Sequence, residues 1–397
     1  MKKSARFTCL TLALALSVGC GLCACAPSGN AVPSGSALPP VRSEAPALSA
    51  APAEVPSSSP AVPAEITLAE SARPGQLCFA RRTYRYLGQD VSRLYYYYIP
   101  SDYQSGERLP LMVSLHGSGS SATLNRLETD YVRYAEDERF IVVFPESVYI
   151  HKDGKLSSEG KSYLETKQSD YSYLRWNAAS TDPVAGYRVD DVQYISDLID
   201  AFVDGGWADS ARVYASGMSH GGFLCLRMAL EIPEKLAGVG AVSALLCAEY
   251  LQKALPEDGP KVVLINGTED AVVPITGMVY DFDRDGEYEY TWAVSQEESA
   301  AWFLDRYGVE NAPEVTALPD ADPGDGTSIT RYAYRDGSGE ERVVRYVVEG
   351  GGHTWPGGNL DYGAFGRSSR DAQGAALIWD ELRDAVNEYR TPEEQAG

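Results

Sequence analysis

The residues with the clearest capacity for chemistry lie in the stretch RVYASGMSHGGF, residues 212–223. An apolar run at 213–215 predicts a strand, and the apolar positions after residue 223 predict a helix. Between them stands Ser219, in a G-x-S-x-G pattern. Glycines permit a sharp turn that exposes the serine hydroxyl at the helix N-terminus, where the helix dipole favours negative charge. This setting is typical of a nucleophile elbow, and a purely structural glycine turn is the alternative.

A serine hydroxyl is a weak nucleophile until a base accepts its proton, and the sequence offers four histidines. His220 adjoins the serine, so its side chain should point elsewhere although its backbone N–H is well placed. His116 directly follows a predicted strand, where a histidine usually braces the oxyanion loop. His151 lies in a polar segment and is expected to be solvated. His353 follows a strand and three glycines near the C-terminus, and it is the predicted base.

The imidazole in turn needs a carboxylate that holds it in the correct tautomer. Asp270 follows the predicted strand 261–265 and precedes the histidine in the chain, which produces the order Ser…Asp…His. Glu269 is the near alternative. Asp190 and Asp191 fit better as caps of a predicted helix.

The oxyanion that forms during attack on an ester needs two hydrogen-bond donors. One is expected to be the backbone N–H of His220. The other is expected from the loop LHGSGS, with Ser118 as the first candidate and Gly117 as the second.

Apolar stretches that alternate with amphipathic ones predict the frame that positions these residues. Strands are expected at 109–115, 140–144, 237–245 and 261–265, with helices between them. Several of these strands are apolar throughout, which favours a mainly parallel sheet with helices on both faces. The fold class is therefore α/β, as a single domain.

Other stretches add detail to this frame. Two strands are expected at 81–88 and 92–100, and the tyrosine run at 95–98 favours a sheet edge. The apolar and aromatic face of residues 124–134 predicts one helix. The polar and aromatic stretch 148–187 is interpreted as an insertion over the site, because long irregular segments in compact domains are usually functional or disordered.

The N-terminal part of the 397-residue chain predicts export and anchoring. Residues 1–25 have a basic start and a short apolar run, as in a lipoprotein signal peptide. Cys25 is the expected lipidated residue, with Cys20 as the alternative. Residues 26–75 are rich in Pro, Ala and Ser and predict a disordered tether, which leaves 76–391 as the folded domain. The protein is thus expected on the outer face of a bacterial cell membrane.

Charge, cysteines and acidic residues limit the partners and cofactors. A net charge of −22 argues against nucleic acid and anionic lipid, so membrane contact is expected only through the anchor. Cys225 is expected as a buried thiol, and a bridge to Cys247 remains open. No spacing suggests zinc, and no redox cofactor is implied.

An Asp-rich loop offers the one candidate metal site. Asp281, Asp283 and Asp285 alternate as in the first half of a calcium loop, although Trp292 occupies the position of the expected bidentate glutamate. The alternative is an acidic hairpin with an Asp-Gly turn.

Five motifs together resemble a known family. LHGSGS, RWN followed by VDDV, GMSHGG, NGTEDAVVP and GGHTWPGG resemble, in this order, the polyhydroxybutyrate depolymerase and feruloyl esterase group of α/β-hydrolases. This group is related to carbohydrate esterases that include acetylxylan esterases, and similar lipoproteins occur in bacteria. The resemblance spans most of residues 90–385 and implies a Ser219–His353–Asp270 triad. Family members often carry Cys where Ser118 stands, and the loop at 281–290 exceeds the family pattern.

The sequence therefore predicts an extracytoplasmic serine esterase that acts on feruloyl or acetyl esters of plant polysaccharide. Trp355 and Trp176 are expected to form an aromatic wall for the acyl group, with packing of the insertion onto the core as the alternative for these rings. His116 is a further candidate for substrate contact. The alternatives are a polyhydroxyalkanoate depolymerase, a serine peptidase, and a non-catalytic surface-binding lipoprotein.

Overall fold

The computed structural model describes residues 67–151, 155–158, 171–174, 176–179, 189–253, 259–281, 289–360, 363–387 and 389, all within the compact unit Val62–Gly397. In chain order the strands are β1 Leu77–Tyr86, β2 Gln89–Tyr98, β3 Leu109–Leu115, β4 Ile141–Pro145, β5 Tyr149–His151, β6 Leu156–Ser157, β7 Tyr171–Leu174, β8 Ala208–Met218, β9 Gly238–Val242, β10 Lys261–Gly267, β11 Met278–Asp281, β12 Glu289–Ala293, β13 Glu314–Ala317, β14 Ser328–Arg335 and β15 Glu341–Glu349. The α-helices are α1 Leu68–Ser71, α2 Ala122–Thr129, α3 Tyr131–Glu138, α4 Asp191–Asp204, α5 His220–Glu231, α6 Gln296–Arg306 and α7 Gly374–Leu382.

One large sheet organises the described residues, with the strand order β1-β2-β4-β3-β8-β9-β10-β15-β14-β13. The six strands from β4 to β15 in this order run parallel to their neighbours, and only the outer strands pair antiparallel. This arrangement confirms the predicted α/β-hydrolase fold. Because the central strands are parallel, their carboxyl ends meet at one edge of the sheet, where such folds bind ligands.

The sheet is buried on both faces, as its continuous apolar strands predict. Successive strand residues point to opposite faces, so Met112 and Val113 of β3 enter different core clusters. Val113 packs in the cluster that contains helices α4, α5 and α6. Met112 packs in the cluster that contains α3 and α7.

The tyrosine run of β2 does not lie at a sheet edge, so that prediction is wrong. Strand β2 is flanked by β1 and β4. Tyr95 and Tyr97 are buried, with ring centroids 6.5 and 5.5 Å from that of Phe202 on helix α4. These two residues of the run are therefore part of the core, because their side chains pack against helix α4 on one face of the sheet.

The predicted single helix over 124–134 is two helices, α2 and α3, separated at Asp130. This residue has φ 57°, in the left-handed region that aspartate tolerates better than most residues. Its carboxylate pairs with Arg133 at 2.7 Å in the first turn of α3. Leu127, expected on the buried face, is 44% exposed because the chain changes direction after it.

Helix α1 lies within the stretch that was predicted as tether, before the boundary at residue 75. Thr67 and Glu70 form a reciprocal capping box around helix α1. Leu68 is buried in the core, and the hydroxyl of Ser71 lies 2.8 Å from that of Tyr97. Residues 67–75 are therefore part of the fold rather than of the tether.

The cysteines of the folded part do not form the bridge that was left open. Cys225 and Cys247 are both buried, and neither is part of a disulfide. Burial raises the pKa of the Cys225 thiol, in agreement with the expected inert core residue. Among the helices that the structure describes, none is both long and apolar enough to cross a bilayer.

Candidate active site

Ser219 occupies the tight turn between strand β8 and helix α5. Its backbone has φ 53° and ψ −124°, a conformation that costs energy for a non-glycine residue and that is frequent at functional sites. Its N–H donates to the Val242 carbonyl at 2.8 Å, which anchors the turn to the neighbouring strand β9. A Cβ added to Gly221 would lie 2.4 Å from the Leu115 carbonyl, so this glycine is required for the turn to approach strand β3.

His353 and Asp270 form a buried pair at the ends of the adjacent strands β15 and β10. The His353 Nδ1 atom lies 2.8 Å from Asp270 Oδ2, and the residues are 7% and 4% exposed. Asp270 Oδ1 accepts the backbone N–H groups of Val272 and Val273, each at 2.8 Å. Both carboxylate oxygens are therefore held in place, with one directed at the imidazole.

The alternative acid, Glu269, points away from this pair. Its carboxylate is 60% exposed and lies 3.2 Å from the guanidinium of Arg367 at the surface. The structure therefore brings Asp270, and not Glu269, to His353.

Glycines allow the two loops that carry the pair to touch. A Cβ on Gly267 would lie 2.2 Å from the Gly351 carbonyl, which itself accepts the Glu269 N–H at 2.8 Å. The His353 N–H donates to the Phe365 carbonyl at 2.7 Å. These backbone contacts fix the histidine loop to its neighbours.

The candidate oxyanion loop lies beside the serine. A Cβ on Gly117 would be 3.5 Å from the Ser219 Cβ, and the side chain of Ser118 is exposed. His220 is buried, and its ring lies roughly parallel to that of Trp292, with centroids 6.3 Å apart. The structure thus places Gly117 against Ser219, and the His220 ring packs beside Trp292.

The sequence model of the Esterase family matches residues 90–306, more than half of the chain. The chain belongs to this family. It is 34% identical over 176 residues to NocK of Nocardia uniformis subsp. tsuyamanensis, a protein named as an esterase, covering 43% of this chain and 50% of NocK. It is 23% identical over 286 residues to feruloyl esterase B of Thermothelomyces thermophilus, covering 63% of this chain and 84% of that protein. It is 22% identical over 256 residues to poly(3-hydroxyalkanoate) depolymerase C of Paucimonas lemoignei, covering 62% and 55%.

The predicted aromatic wall is wrong, because both tryptophans are core residues, as in the alternative. Trp176 is fully buried and donates its Nε1–H to the His116 carbonyl at 2.8 Å. Trp355 is 1% exposed, with its ring centroid 6.1 Å from that of Tyr131. A Cβ on Gly374 would lie 2.7 Å from Trp355 Nε1, so helix α7 packs directly on this ring.

His116 is also wrong as a substrate contact. Its side chain is fully buried and lies between the backbone of Gly117 and the carboxyl of Glu146. This placement agrees with the other expectation for His116, that it braces the oxyanion loop.

A buried ion pair that sequence reasoning missed supports the segment around Trp176. Arg93 Nη1 lies 2.6 Å from Asp191 Oδ1, and both side chains are almost completely buried. Burial alone would lower the pKa of Arg93, but the Asp191 carboxylate, together with Tyr86 and Tyr194, outweighs this effect and raises the pKa. Asp191 Oδ2 accepts the Asn177 N–H at 2.6 Å, whereas Asp190 caps helix α4 by accepting the Gln193 N–H. The signal that was available in the sequence is Arg93, the one basic residue of strand β2.

The calcium prediction remains a prediction. Asp281 ends strand β11, while Asp283 and Asp285 fall outside the described residues. Within the described residues, no three His, Cys, Asp or Glu side chains form a group that could hold a metal ion. Trp292, at the position of the expected glutamate, is buried with its ring centroid 4.6 Å from that of Phe223. Strands β11 and β12 pair antiparallel, as in the hairpin alternative.

Proposed function

We propose that this protein hydrolyses carboxylic esters with Ser219 as nucleophile, His353 as base and Asp270 as the orienting acid. The observation that carries the proposal is the buried 2.8 Å contact between His353 Nδ1 and Asp270 Oδ2, at the sheet edge where Ser219 adopts its strained turn. Strands β8, β10 and β15 end at this edge because they run parallel in one sheet.

The mechanism follows from these placements. Because the Nδ1–H of His353 donates to Asp270, Nε2 is free to accept the Ser219 proton as the hydroxyl oxygen attacks the ester carbonyl. The backbone N–H groups of His220 and Ser118 stabilise the tetrahedral oxyanion, with Gly117 as the alternative second donor. His353 then protonates the leaving alcohol, which separates from the acyl-enzyme. A water molecule that is deprotonated by His353 attacks the acyl-enzyme and releases the acid and Ser219.

Covalent labelling provides the test of the nucleophile. A fluorophosphonate probe should label the wild-type protein at Ser219 and leave Ser219→Ala unlabelled, because only an activated serine reacts readily with it. Intact-protein and peptide mass spectrometry would locate the adduct, and hydrolysis of p-nitrophenyl acetate would be measured in parallel. Ser338→Ala, in the exposed turn between β14 and β15, is the matched control and should label normally. Labelling of Ser219→Ala, or its full esterase activity, would show that another residue is the nucleophile. A wild-type protein that is neither labelled nor active would favour the non-catalytic alternative.

The proposed substrates are feruloyl or acetyl esters carried by plant polysaccharide. This proposal is supported by the similarity to a protein named feruloyl esterase B, which covers 63% of this chain. The similarity to a protein named poly(3-hydroxyalkanoate) depolymerase C covers 62%, which makes short hydroxyalkanoate esters the second candidate. Because Trp176 and Trp355 are buried in the core, neither ring supports a preference for aromatic acyl groups.

A substrate panel separates these candidates. Methyl ferulate, acetylated xylan, 3-hydroxybutyrate oligomers and a long-chain p-nitrophenyl ester should be compared by kcat/KM on one unlabelled preparation, whose active fraction is known from fluorophosphonate titration of a separate sample. The highest value is expected for one of the first two substrates. A highest value for the oligomers would assign a depolymerase, and one for the long-chain ester would exclude both classes.

We further propose that Cys25 carries a lipid that anchors the esterase outside the cell. The support is the segment Leu22-Cys23-Ala24-Cys25 and the Pro/Ala/Ser-rich stretch after it. Cys25→Ser should leave the protein unprocessed or release it from the membrane fraction, whereas Cys20→Ser should leave the anchored fraction unchanged. Mass spectrometry of the mature N-terminus reads out both variants. An unmodified N-terminus beyond residue 25, or loss of anchoring only in Cys20→Ser, contradicts the proposal.

A further inference from the structure

One buried carboxyl group, that of Glu146, holds both ends of the loop that connects strand β3 to helix α2. Its Oε1 lies 3.1 Å from His116 Nε2, at the start of the loop. Its Oε2 accepts the N–H of Ala122, the first residue of α2, at 3.0 Å. Glu146 and His116 are both fully buried, so the two contacts form without competition from water.

His116 passes this constraint to the peptide bond between Gly117 and Ser118. Its Nδ1 lies 2.8 Å from the Gly117 carbonyl oxygen and must donate, because a carbonyl only accepts. The same carbonyl also accepts the Ser120 N–H at 3.1 Å. In a trans peptide the C=O and the following N–H point in opposite directions, so fixing the Gly117 carbonyl fixes the direction of the Ser118 N–H.

The Ser118 N–H is the first candidate for the second oxyanion donor, and Gly117 lies against Ser219. We propose that Glu146 is a positioning residue of the esterase reaction, which acts through His116 to direct the Ser118 N–H at the developing oxyanion. This inference rests on the proposed function, because it concerns the transition state of attack by Ser219. Glu146 itself has no contact with the reacting atoms in this proposal.

The groups around Glu146 and His116 indicate that a glutamine at position 146 should preserve the role of the glutamate. The Ser147 N–H donates to His116 Nε2 at 3.2 Å, and Arg93 Nη2 donates to the Glu146 backbone carbonyl at 3.0 Å. Glu146 Oε1 contacts the same imidazole nitrogen at 3.1 Å but has no hydrogen-bond partner among the described residues. A glutamine amide can donate to Nε2 and still accept the Ala122 N–H with its oxygen, whereas methionine has the same length but can do neither.

The test compares Glu146→Met with Glu146→Gln. Glu146→Met should lower kcat for p-nitrophenyl acetate by about 10²-fold with KM nearly unchanged, as expected when one oxyanion donor is misdirected. Glu146→Gln should keep kcat within about threefold of wild type. Active-site titration with a fluorophosphonate supplies the active fraction, so that partial unfolding does not enter kcat.

The inhibition constant Ki of a trifluoromethyl ketone distinguishes a positioning role from a merely structural one, because it should not change if Glu146 only stabilises the fold. Ser219 Oγ adds to the carbonyl carbon of the ketone, His353 accepts the serine proton, and the carbonyl oxygen becomes an anion in the oxyanion site. The Ki of the ketone should be higher for Glu146→Met than for the wild type, by the same factor by which kcat/KM falls. For Glu146→Gln the Ki should be close to the wild-type value. Glu128→Met, which removes another buried carboxyl from the last turn of α2, should leave kcat and Ki unchanged.

The outcomes separate this inference from the proposed function. If Ser219→Ala abolishes hydrolysis but Glu146→Met retains wild-type kcat and Ki, the positioning role is overturned while the triad stands. A loss in Glu146→Met that glutamine does not rescue overturns it as well. If Glu146→Met does not fold, Glu146→Asp replaces it, because the shorter side chain cannot reach both His116 and Ala122 and should show the same rise in Ki.

Discussion

Asp270→Asn should lower kcat for ester hydrolysis by about 10⁴-fold, as expected when a triad imidazole is held in the wrong tautomer. The structure indicates why the amide would produce that tautomer. The position of Oδ1 is set by the backbone N–H groups of Val272 and Val273, which require an oxygen acceptor. The asparagine NH₂ group must then face His353 Nδ1, which becomes the acceptor, and Nε2 carries the proton that it should receive from Ser219. Stopped-flow or steady-state hydrolysis of p-nitrophenyl acetate measures the effect.

Glu269→Gln is the matched control, since it removes a charge one residue away that is exposed and paired with Arg367. It should change kcat by less than about threefold, as do most surface substitutions away from a site. Both variants should keep the wild-type Tm within a few degrees. A large loss in Glu269→Gln together with full activity of Asp270→Asn would place the acid at Glu269 and remove Asp270 from the mechanism. Equal loss in both variants would mean that Asp270 has no specific role as the orienting acid.

The residues of the predicted triad could be found from the sequence because each follows a strand of a parallel sheet. Ser219, Asp270 and His353 come after β8, β10 and β15, and the carboxyl ends of parallel strands share an edge. Elimination among four histidines then identified His353, and its contact with Asp270 in the structure agrees with that choice. The roles of these residues in hydrolysis remain predictions until the variants are measured.

The supports of the site could not be predicted, because their partners are distant in sequence. Nothing near Glu146 in the chain indicates that it spans His116 and Ala122. Trp355 follows the predicted base by two residues, yet its ring packs under helix α7 because the chain turns into the core after His353. Trp355 was predicted to contact substrate because it is close to His353 in sequence, but its packing in the folded protein makes it a core residue.

Glu128→Gln should stabilise the protein at alkaline pH and have little effect near pH 4.5. Glu128 is 6% exposed in the last turn of α2, and its burial raises the pKa from 4.5 to about 8. Between these two values the unfolded chain has lost the proton while the folded protein retains it, so wild-type stability falls as the pH rises through this window and then levels off above pH 8. Glutamine is neutral in both states and escapes this loss. The gain in the free energy of unfolding at pH 9 should be a few kcal/mol, with about 5 kcal/mol as the ceiling set by the pKa difference.

Urea denaturation of both proteins at pH 5, 7 and 9 measures this gain, which should grow steadily across the series. The surface variant Glu310→Gln is the control and should show a difference that is small at every pH. Glu128 packs against the segment that follows His353: a Cβ on Gly358 would lie 3.4 Å from its Cγ, and the Asn359 N–H donates to its backbone carbonyl. A charged Glu128 should therefore loosen this segment first. After correction for the base-catalysed intrinsic rate, the hydrogen-exchange protection factors at 357–359 should fall above pH 8 in the wild type and not in Glu128→Gln. A stability difference that does not vary with pH would show that Glu128 is ionised in the folded protein and that the segment accommodates its charge.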